Sequence, residues 1–474
     1  MKRSSCNGCR QRDARITVLE ARLSAAETRV QRLEEQLAAA RKDSSNSSKP
    51  PSSDITKPPP PADAGTGRPP GGQPGHPKHE RPPLPVPAEC VRVVPHELDL
   101  CPDCLGPLRR NGDLATVVEQ VDIQQVPLTA ERHICPEYWC DHCDKAHKAP
   151  LPQHIKQGGL VGPELTTLIA YLKGFCHASY STIRAFVRDV IGLQLSRGVL
   201  CKVIARVSAA LAEPYRDLLA RLPDEALLNV DETGHPNNGE RWWTWCFRAE
   251  LYTLFHIDAY RKGDVLLTIL GKEFAGVLGC DYFSAYRRYM RECSIQVQFC
   301  LAHLIRDVKF LTTLDRATKA YGERLRLALK DLFAVFHQQE HLSAAVWQQR
   351  LQAARAHILA VGTTNVPNSR QAQNLAARFH KHGAAYFTFI TTPGLEPTNN
   401  LAEQAIRFVV IDRRLTQGTR SAGGREWCER IWTVIATCAQ QGRSVYGYLR
   451  TAVAHWFTGQ PAPLLLVGAD AAGE

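Results

Sequence analysis

The sequence predicts a multidomain chain whose main part is an α/β core, and three observations predict it. Two short apolar runs, Ala226–Val230 and Gly276–Cys280, each lead into an acid, Asp231 and Asp281. Between them lie two stretches rich in Trp, Phe, Tyr and Thr, followed by a helical pattern. A Pro- and Ser-rich segment and a module of paired cysteines precede all of this, so the core is one part among several.

Length and composition set the frame. With 474 residues the chain is too long for one ordinary domain. No run of 18 apolar residues occurs, so no membrane span is expected. The N-terminus lacks the apolar segment of a signal peptide, which points to the cytoplasm. The formal net charge of +11 favours a polyanionic partner such as DNA or RNA. Sixteen cysteines in a reducing compartment do not read as a disulfide framework. Isolated ones such as Cys176, Cys201, Cys246 and Cys438 read as small buried apolar residues.

The elements follow in order. Residues 1–43 carry a heptad: Ile16, Leu23, Val30 and Leu37 form one series, and Leu19, Ala26, Leu33 and Ala40 the other. This is an a/d seam suited to a short parallel coiled coil and hence to a homo-oligomer. A single amphipathic helix packed on its own protein is the alternative. Residues 44–89 form a Pro/Ser/Gly-rich linker with too little apolar surface to order itself.

Residues 90–150 hold Cys101-Pro-Asp-Cys104 and Cys140-Asp-His-Cys143. Two such knuckles complete a tetrahedral site, so the module reads as a zinc ribbon with one structural Zn²⁺. Cys6-Asn-Gly-Cys9 is a lone knuckle and reads as metal-free.

Residues 158–222 read as helices, with Ser196 a good N-cap. They could form a helix-turn-helix that reads a DNA groove, or a plain helical hairpin, which the pattern slightly favours.

In the core, 223–420, the order is three strands, a helix, a strand, a short connection, a strand and then helices, with a helical insertion at about 316–390. That is the order of a ribonuclease-H-like fold. Residues 421–474 read as a C-terminal helical region and tail.

Asp231 is expected to end the first strand and Asp281 the fourth, 50 residues later (281 − 231). Open α/β sheets keep their sites at such strand ends. Two carboxylates gathered there raise each other's pKa unless a cation intervenes, and Mg²⁺ is the oxygen-loving choice. Two such ions can serve phosphodiester chemistry. Glu403 lies 122 residues further (403 − 281), on a helix that Thr398 or Asn399 could cap, with Asn400 and Arg407 on its face.

Leu228–Gly234, Trp243-Thr244-Trp245, Gly279–Tyr286, Cys300–Arg306 and Pro397–Arg407 together resemble the insertion-sequence transposases of the IS-sixty-six type. The resemblance runs in order from the heptad to Leu449. It implies that Asp231, Asp281 and Glu403 are the DDE triad of a retroviral-integrase-like core using two Mg²⁺ (or Mn²⁺). It implies double-stranded DNA as partner, with terminal inverted repeats as specific substrate and a second DNA as target. It also implies accessory proteins of the same element. Glu232 and Glu396 are then bystanders. His303 matches a family position and reads as a DNA contact or a support of the site. After Arg407 the commonest family pattern has a Lys-Asn-Trp stretch, where this chain has Arg413–Arg420.

Residues 401–450 carry eight Arg and four acids. Arg413, Arg414, Arg420, Arg425 and Arg430 are candidates for phosphate contacts, alongside Asn400 and Arg407. A DNA-binding regulator derived from a transposase, no longer able to cut, is the rival reading.

Overall fold

A computed structural model of the chain describes residues 7–40, 133, 137–140, 145–148, 152, 155–156 and 159–466. The chain divides into two compact units, residues 1–56 with 131–474, and residues 57–130. The second unit, with Cys101 and Cys104, lies outside the described residues, as does Cys143. Cys140 closes the short strand β1 (Glu137–Cys140), which pairs antiparallel with β2 (Lys145–Lys148).

The N-terminal heptad lies on one 34-residue helix, α1 (Asn7–Ala40). Ile16, Leu19, Leu23, Val30, Leu33 and Leu37 are each more than half exposed along it.

Helices α2 (Pro163–Gly174), α3 (Tyr180–Phe186), α4 (Arg197–Ala210) and α5 (Ala212–Arg221) precede the sheet. Ser196 caps α4 as its sequence position implies, accepting the Val199 N–H at 3.3 Å. A π turn, Val187–Ile191, and the left-handed Gly192 separate α3 from α4. That connection is longer than the three or four residues of a helix-turn-helix.

The five-stranded sheet has the order β5-β4-β3-β6-β7. Its strands are β3 (Leu227–Asn237), β4 (Glu240–Arg248), β5 (Thr253–Asp258), β6 (Val277–Cys280) and β7 (Gln296–Phe299). The first three form an antiparallel meander, and β6 and β7 add in parallel to β3. Helices α6 (Gly263–Leu270) and α7 (Ser284–Cys293) make the crossovers. The wholly buried β6 reads Val-Leu-Gly-Cys, with glycine opposite Asn229. A Cβ on Gly279 would lie 2.6 Å from Asn229 Oδ1.

One boundary differs from expectation. Asp231 does not end its strand: β3 runs six residues beyond it, in antiparallel register with β4 to Asn237↔Glu240. The parallel pairing with β6 stops at Asn229↔Gly279, two residues before the acid. Asp231 therefore sits where β3 outruns its parallel neighbour, which leaves that side of the strand open.

Helix α8 (Leu301–Leu311) follows β7 directly. The insertion is three helices, α9 (Arg316–Phe336), α10 (Ala344–Thr363) and α11 (Arg370–His382). Its return segment covers the β7 edge: Gln298 Nε2 donates to Tyr386 O, its Oε1 accepts Phe389 N–H, and Thr388 Oγ1 donates to Val297 O.

The opposite edge, β5, is covered by α13 (Ala422–Gln440). Thr253 N–H donates to Thr437 Oγ1, Phe255 N–H to Thr433 Oγ1, and Ile257 N–H to Glu429 Oε1. Two strand residues advance ~6.7 Å and four helical residues ~6 Å, so side chains at i, i+4 and i+8 meet alternate strand N–H groups. Helix α14 (Val445–Thr458) packs along α2, so the C-terminal helices and the helices before the sheet share one layer. Gly174 of α2 lets that layer close, since a Cβ there would lie 2.4 Å from Ile431 Cγ1.

Among the described residues, no helix is long and apolar enough to cross a membrane.

Candidate active site

Three elements bring the acids together. Asp231 comes from β3, Asp281 follows β6 immediately, and Glu403 lies in the first turn of α12 (Asn400–Thr416). Their mutual influence is electrostatic. Burial pushes the Asp231 carboxyl well up, and the charges of Glu232, Asp281 and Glu403 push it further, against one N–H bond from Glu232. Burial lifts Asp281 to about 6, with Glu232 adding to it, while the Phe283 N–H, His303 and Arg261 pull it back.

Glu403 is held at arm's length by two basic groups of α8. His303 Nδ1 lies 3.5 Å from its Oε1, and Arg306 Nη2 lies 3.5 Å from its Oε2. His303 Nδ1 and Glu403 Oε1 are both buried and have no hydrogen-bond partner. His303 is thus placed beside the acid, and Arg306, to which the sequence assigned no role, stands there too. Its signal was the i, i+3 spacing from His303 on a helix.

The start of α12 is fixed by an unexpected device. Asn399 is the N-cap position, yet its side chain makes no cap bond. Its Nδ2 instead donates to Val230 O at 2.8 Å, next to Asp231, and its backbone N–H donates to Cys300 Sγ at 3.2 Å. Leu301 N–H donates to Pro397 O at 2.9 Å. One asparagine therefore ties the Glu403 helix to the Asp231 strand and to the start of α8. Further along α12 the buried Asp412 accepts from Trp432 Nε1 at 3.0 Å and pairs with His177 Nδ1 at 2.9 Å.

Glu232, the neighbour of Asp231, is not idle. Its side chain is 1% exposed, and its carboxylate is bound by Arg261, at 2.5 and 2.7 Å, and by the Tyr286 hydroxyl. Arg261 also lies over the Phe283 ring at 3.9 Å. Glu396 is exposed and takes no part.

The expected phosphate contacts divide. Asn400, Arg407, Arg414 and Arg420 are exposed. Arg413 turns inward, donating to Thr233 Oγ1 at 2.8 Å. Arg425 lies over the Trp242 ring at 4.2 Å, and Arg430 donates to Ser208 O and Oγ. These three thus have partners within the protein itself. The Gln417-Gly418 turn brings Thr419 beside β3, where its Oγ1 meets His235 Nε2 at 2.8 Å and donates to Asn237 Oδ1. Both turn residues are left-handed, and a Cβ on Gly418 would lie 2.1 Å from Pro236 O. Of the isolated cysteines, Cys246 and Cys438 are buried as expected, whereas Cys176 and Cys201 are exposed.

The donors Asp231, Asp281 and Glu403 are hard carboxylate oxygens, and the charges of the latter two help to raise Asp231. A divalent cation relieves such a cluster, so the residues fit Mg²⁺.

A family of unknown function, DUF6444, matches residues 5–82. Two proteins of Sinorhizobium fredii are similar over much of their length. Uncharacterized protein y4hP is 24% identical over 396 residues, 76% of this chain and 70% of its own. Uncharacterized protein y4qI is 22% identical over 360 residues, 69% of this chain and 65% of its own. The description "Transposase IS66 family" matches residues 158–426, which spans every strand of the sheet and all three acids. With more than half of its length so matched, the chain belongs to the IS66 transposase family.

Proposed function

We propose that the protein is a DDE transposase that cuts at the terminal inverted repeats of its element and joins the freed 3′-hydroxyl ends to target DNA. The observation that carries this is the convergence of Asp231, Asp281 and Glu403 from three separate elements, with burial and neighbouring carboxylates, Glu232 foremost, raising the first two. The sheet order, with an antiparallel meander and two parallel strands, supports a ribonuclease-H-like reading of the core.

Asp231, Asp281 and Glu403 would hold two Mg²⁺ (or Mn²⁺). When bound, such a pair activates the attacking oxygen and stabilises the leaving one. The chain's own residues do the positioning. Asn399 keeps Glu403 in register with Asp231, and Arg261 with Tyr286 holds Glu232, whose charge raises both Asp231 and Asp281. The exposed Asn400, Arg407, Arg414 and Arg420 would meet phosphates, contacts that fix the position of DNA without reading its sequence. The exposed seam of α1 supports homo-oligomerisation through a coiled coil. Cys101, Cys104, Cys140 and Cys143 remain the proposed ligands of one structural Zn²⁺. Accessory proteins of the element and a cytoplasmic location complete the reading.

The test pairs a gel shift with a cleavage assay, using DNA that carries the element's own end, Mg²⁺ or Mn²⁺, and the accessory proteins. Binding with cutting is expected. Binding without any cutting would favour the regulator.

A further inference from the structure

Beside the acid cluster lies a donor set of different chemistry. Cys300 Sγ, an imidazole nitrogen of His303 and a carboxylate oxygen of Glu403 lie within 4.8 Å of one another. Cys300 is the last residue before α8, His303 is in that helix's first turn, and Glu403 reaches them from α12. This is a sulfur, a nitrogen and an oxygen converging on one point. Mg²⁺ takes neither sulfur nor imidazole readily, whereas Zn²⁺ takes all three.

We propose that Cys300, His303 and Glu403 form a binding site for a thiophilic divalent cation of the Zn²⁺ type, and that its occupation inhibits DNA cleavage by removing Glu403 from the acid cluster. The inhibitory half rests on the nuclease reading given above, and the binding half does not.

Geometry supports the site. A tetrahedral ion with bonds of about 2.0–2.3 Å spaces its donors roughly 3.5 Å apart. His303 Nδ1 and Glu403 Oε1 are already 3.5 Å apart, both buried and both without a hydrogen-bond partner. Buried polar atoms left without a hydrogen bond call for a partner, and a bound ion is one that would suit both. The Cys300 sulfur lies within 4.8 Å of both, and its side chain must close the remaining gap. Three protein ligands leave the fourth position to water or another donor.

The protonation chemistry is consistent. Burial lifts the Cys300 thiol to about 11, while N–H groups of Asn399, His303 and Ala302 directed at the sulfur draw it down. Those same N–H groups would stabilise a bound thiolate. Binding therefore releases the Cys300 proton, and affinity rises with pH. With the metal on Nδ1, His303 carries its proton on Nε2. It then loses the 3.4 Å contact with Arg306 Nη1, so Arg306 must move. Glu403 is the one group common to both sites, and it cannot serve both ions.

The experiment uses the full chain, dialysed against micromolar free Zn²⁺ with millimolar Mg²⁺. Zinc per chain is measured by elemental analysis for wild type and Cys300→Ser, and thermal melts confirm folding. The wild type is expected to hold one more zinc per chain than Cys300→Ser, because the Cys101–Cys143 module is common to both. If Cys300→Ser does not fold, His303→Gln is measured in its place and should show the same loss. Cobalt substitution adds a signature: the thiolate-to-cobalt band should weaken in Cys300→Ser. In the cleavage assay, each protein is compared with its own zinc-free rate. The zinc concentration for half inhibition should rise at least tenfold in Cys300→Ser. Equal zinc content in folded wild type and variants overturns the site. Unequal content with equal zinc sensitivity of cleavage overturns the inhibition. Unequal content in a wild type that cuts nothing upholds the site and defeats the nuclease reading instead.

Discussion

Asp231 and Glu232 are adjacent on β3, and successive strand residues face opposite sides of a sheet. The two faces treat their acids differently. Glu232 is buried against a guanidinium and a phenol that the protein itself supplies. Asp231 is gathered with two more carboxylates, and the basic groups nearby act on its neighbours, His303 and Arg306 at 3.5 Å from Glu403 and Arg261 on Asp281. A buried charge that the fold neutralises is architecture. A buried charge that the fold leaves uncompensated waits for a ligand. The difference lies in where the compensating cation comes from, and four measurements test it.

The largest effect should come from the uncompensated side. Asp231→Asn, Asp281→Asn and Glu403→Gln should each lower cleavage by on the order of 10³-fold or more, and combining any two should add little, because the three act as one unit. Gel shifts should show DNA affinity retained or raised, since phosphate contacts through Lys and Arg supply it. A wild-type cutting rate in Glu403→Gln would remove that residue from the set.

On the compensated side the effect should fall on stability. Glu232→Gln leaves Arg261 unpaired. Urea denaturation should show a loss of roughly 2–3 kcal/mol, below the value for a fully buried pair because Arg261 is 34% exposed. The double variant Glu232→Leu with Arg261→Met should recover much of it. If Glu232→Gln keeps full stability yet stops cleavage, the two faces have been assigned the wrong way round.

The third measurement is pH dependence without metal. The Asp281 carboxyl sits at about 6 against an ordinary 3.8, so the folded state holds a proton that the unfolded state releases between those values. The Asp281 contribution to stability of the metal-free protein should therefore fall as pH rises from about 4 to about 6, then level off. Asp231 is raised too and adds in the same direction. Millimolar Mg²⁺ should flatten the slope, and Asp281→Asn should remove its part. His235, lowered to about 4 by burial and by Arg413 and Arg425, works oppositely. Its contribution is lost as pH falls from about 6.5 to about 4, so His235→Gln should steepen the decline seen on raising pH.

The smallest effect should come from the strap between the faces. Asn399→Ala removes the bond to Val230 O and should lower stability by about 1 kcal/mol. Its mark should be a lower cleavage rate with DNA affinity unchanged. Asn399→Asp, which cannot donate, should behave similarly.

Much of this was legible in the residues. Alternating and apolar runs placed five strands in order, because a strand buried in a sheet has little freedom in composition. Ser196 announced its helix, because a cap is a local bond. Long-range partners were not legible. Asn399 stands in a capping position, and only the folded chain shows its amide spent on Val230. Arg413 and Arg430 look like solvated arginines in a basic stretch, but Thr233 and Ser208, far away in sequence, claim them. The end of β3 was misjudged because an acid after an apolar run resembles a strand end, whereas β4 carries the strand onward.

The cover on β5 has a consequence in time. Ile257 and Glu429 are 172 residues apart, and the family match ends at residue 426, before the first of the three covering side chains. At roughly 5–20 residues per second, a ribosome needs about 9–34 s to pass from one to the other. Throughout that interval the N–H groups of Thr253, Phe255 and Ile257 lack their final acceptors. A nascent chain emerging beside another on the same message would offer it an open strand. A protein made in bursts therefore depends on its last helices to stay apart from its siblings, and a fragment stopped at residue 426 should aggregate where the full chain does not.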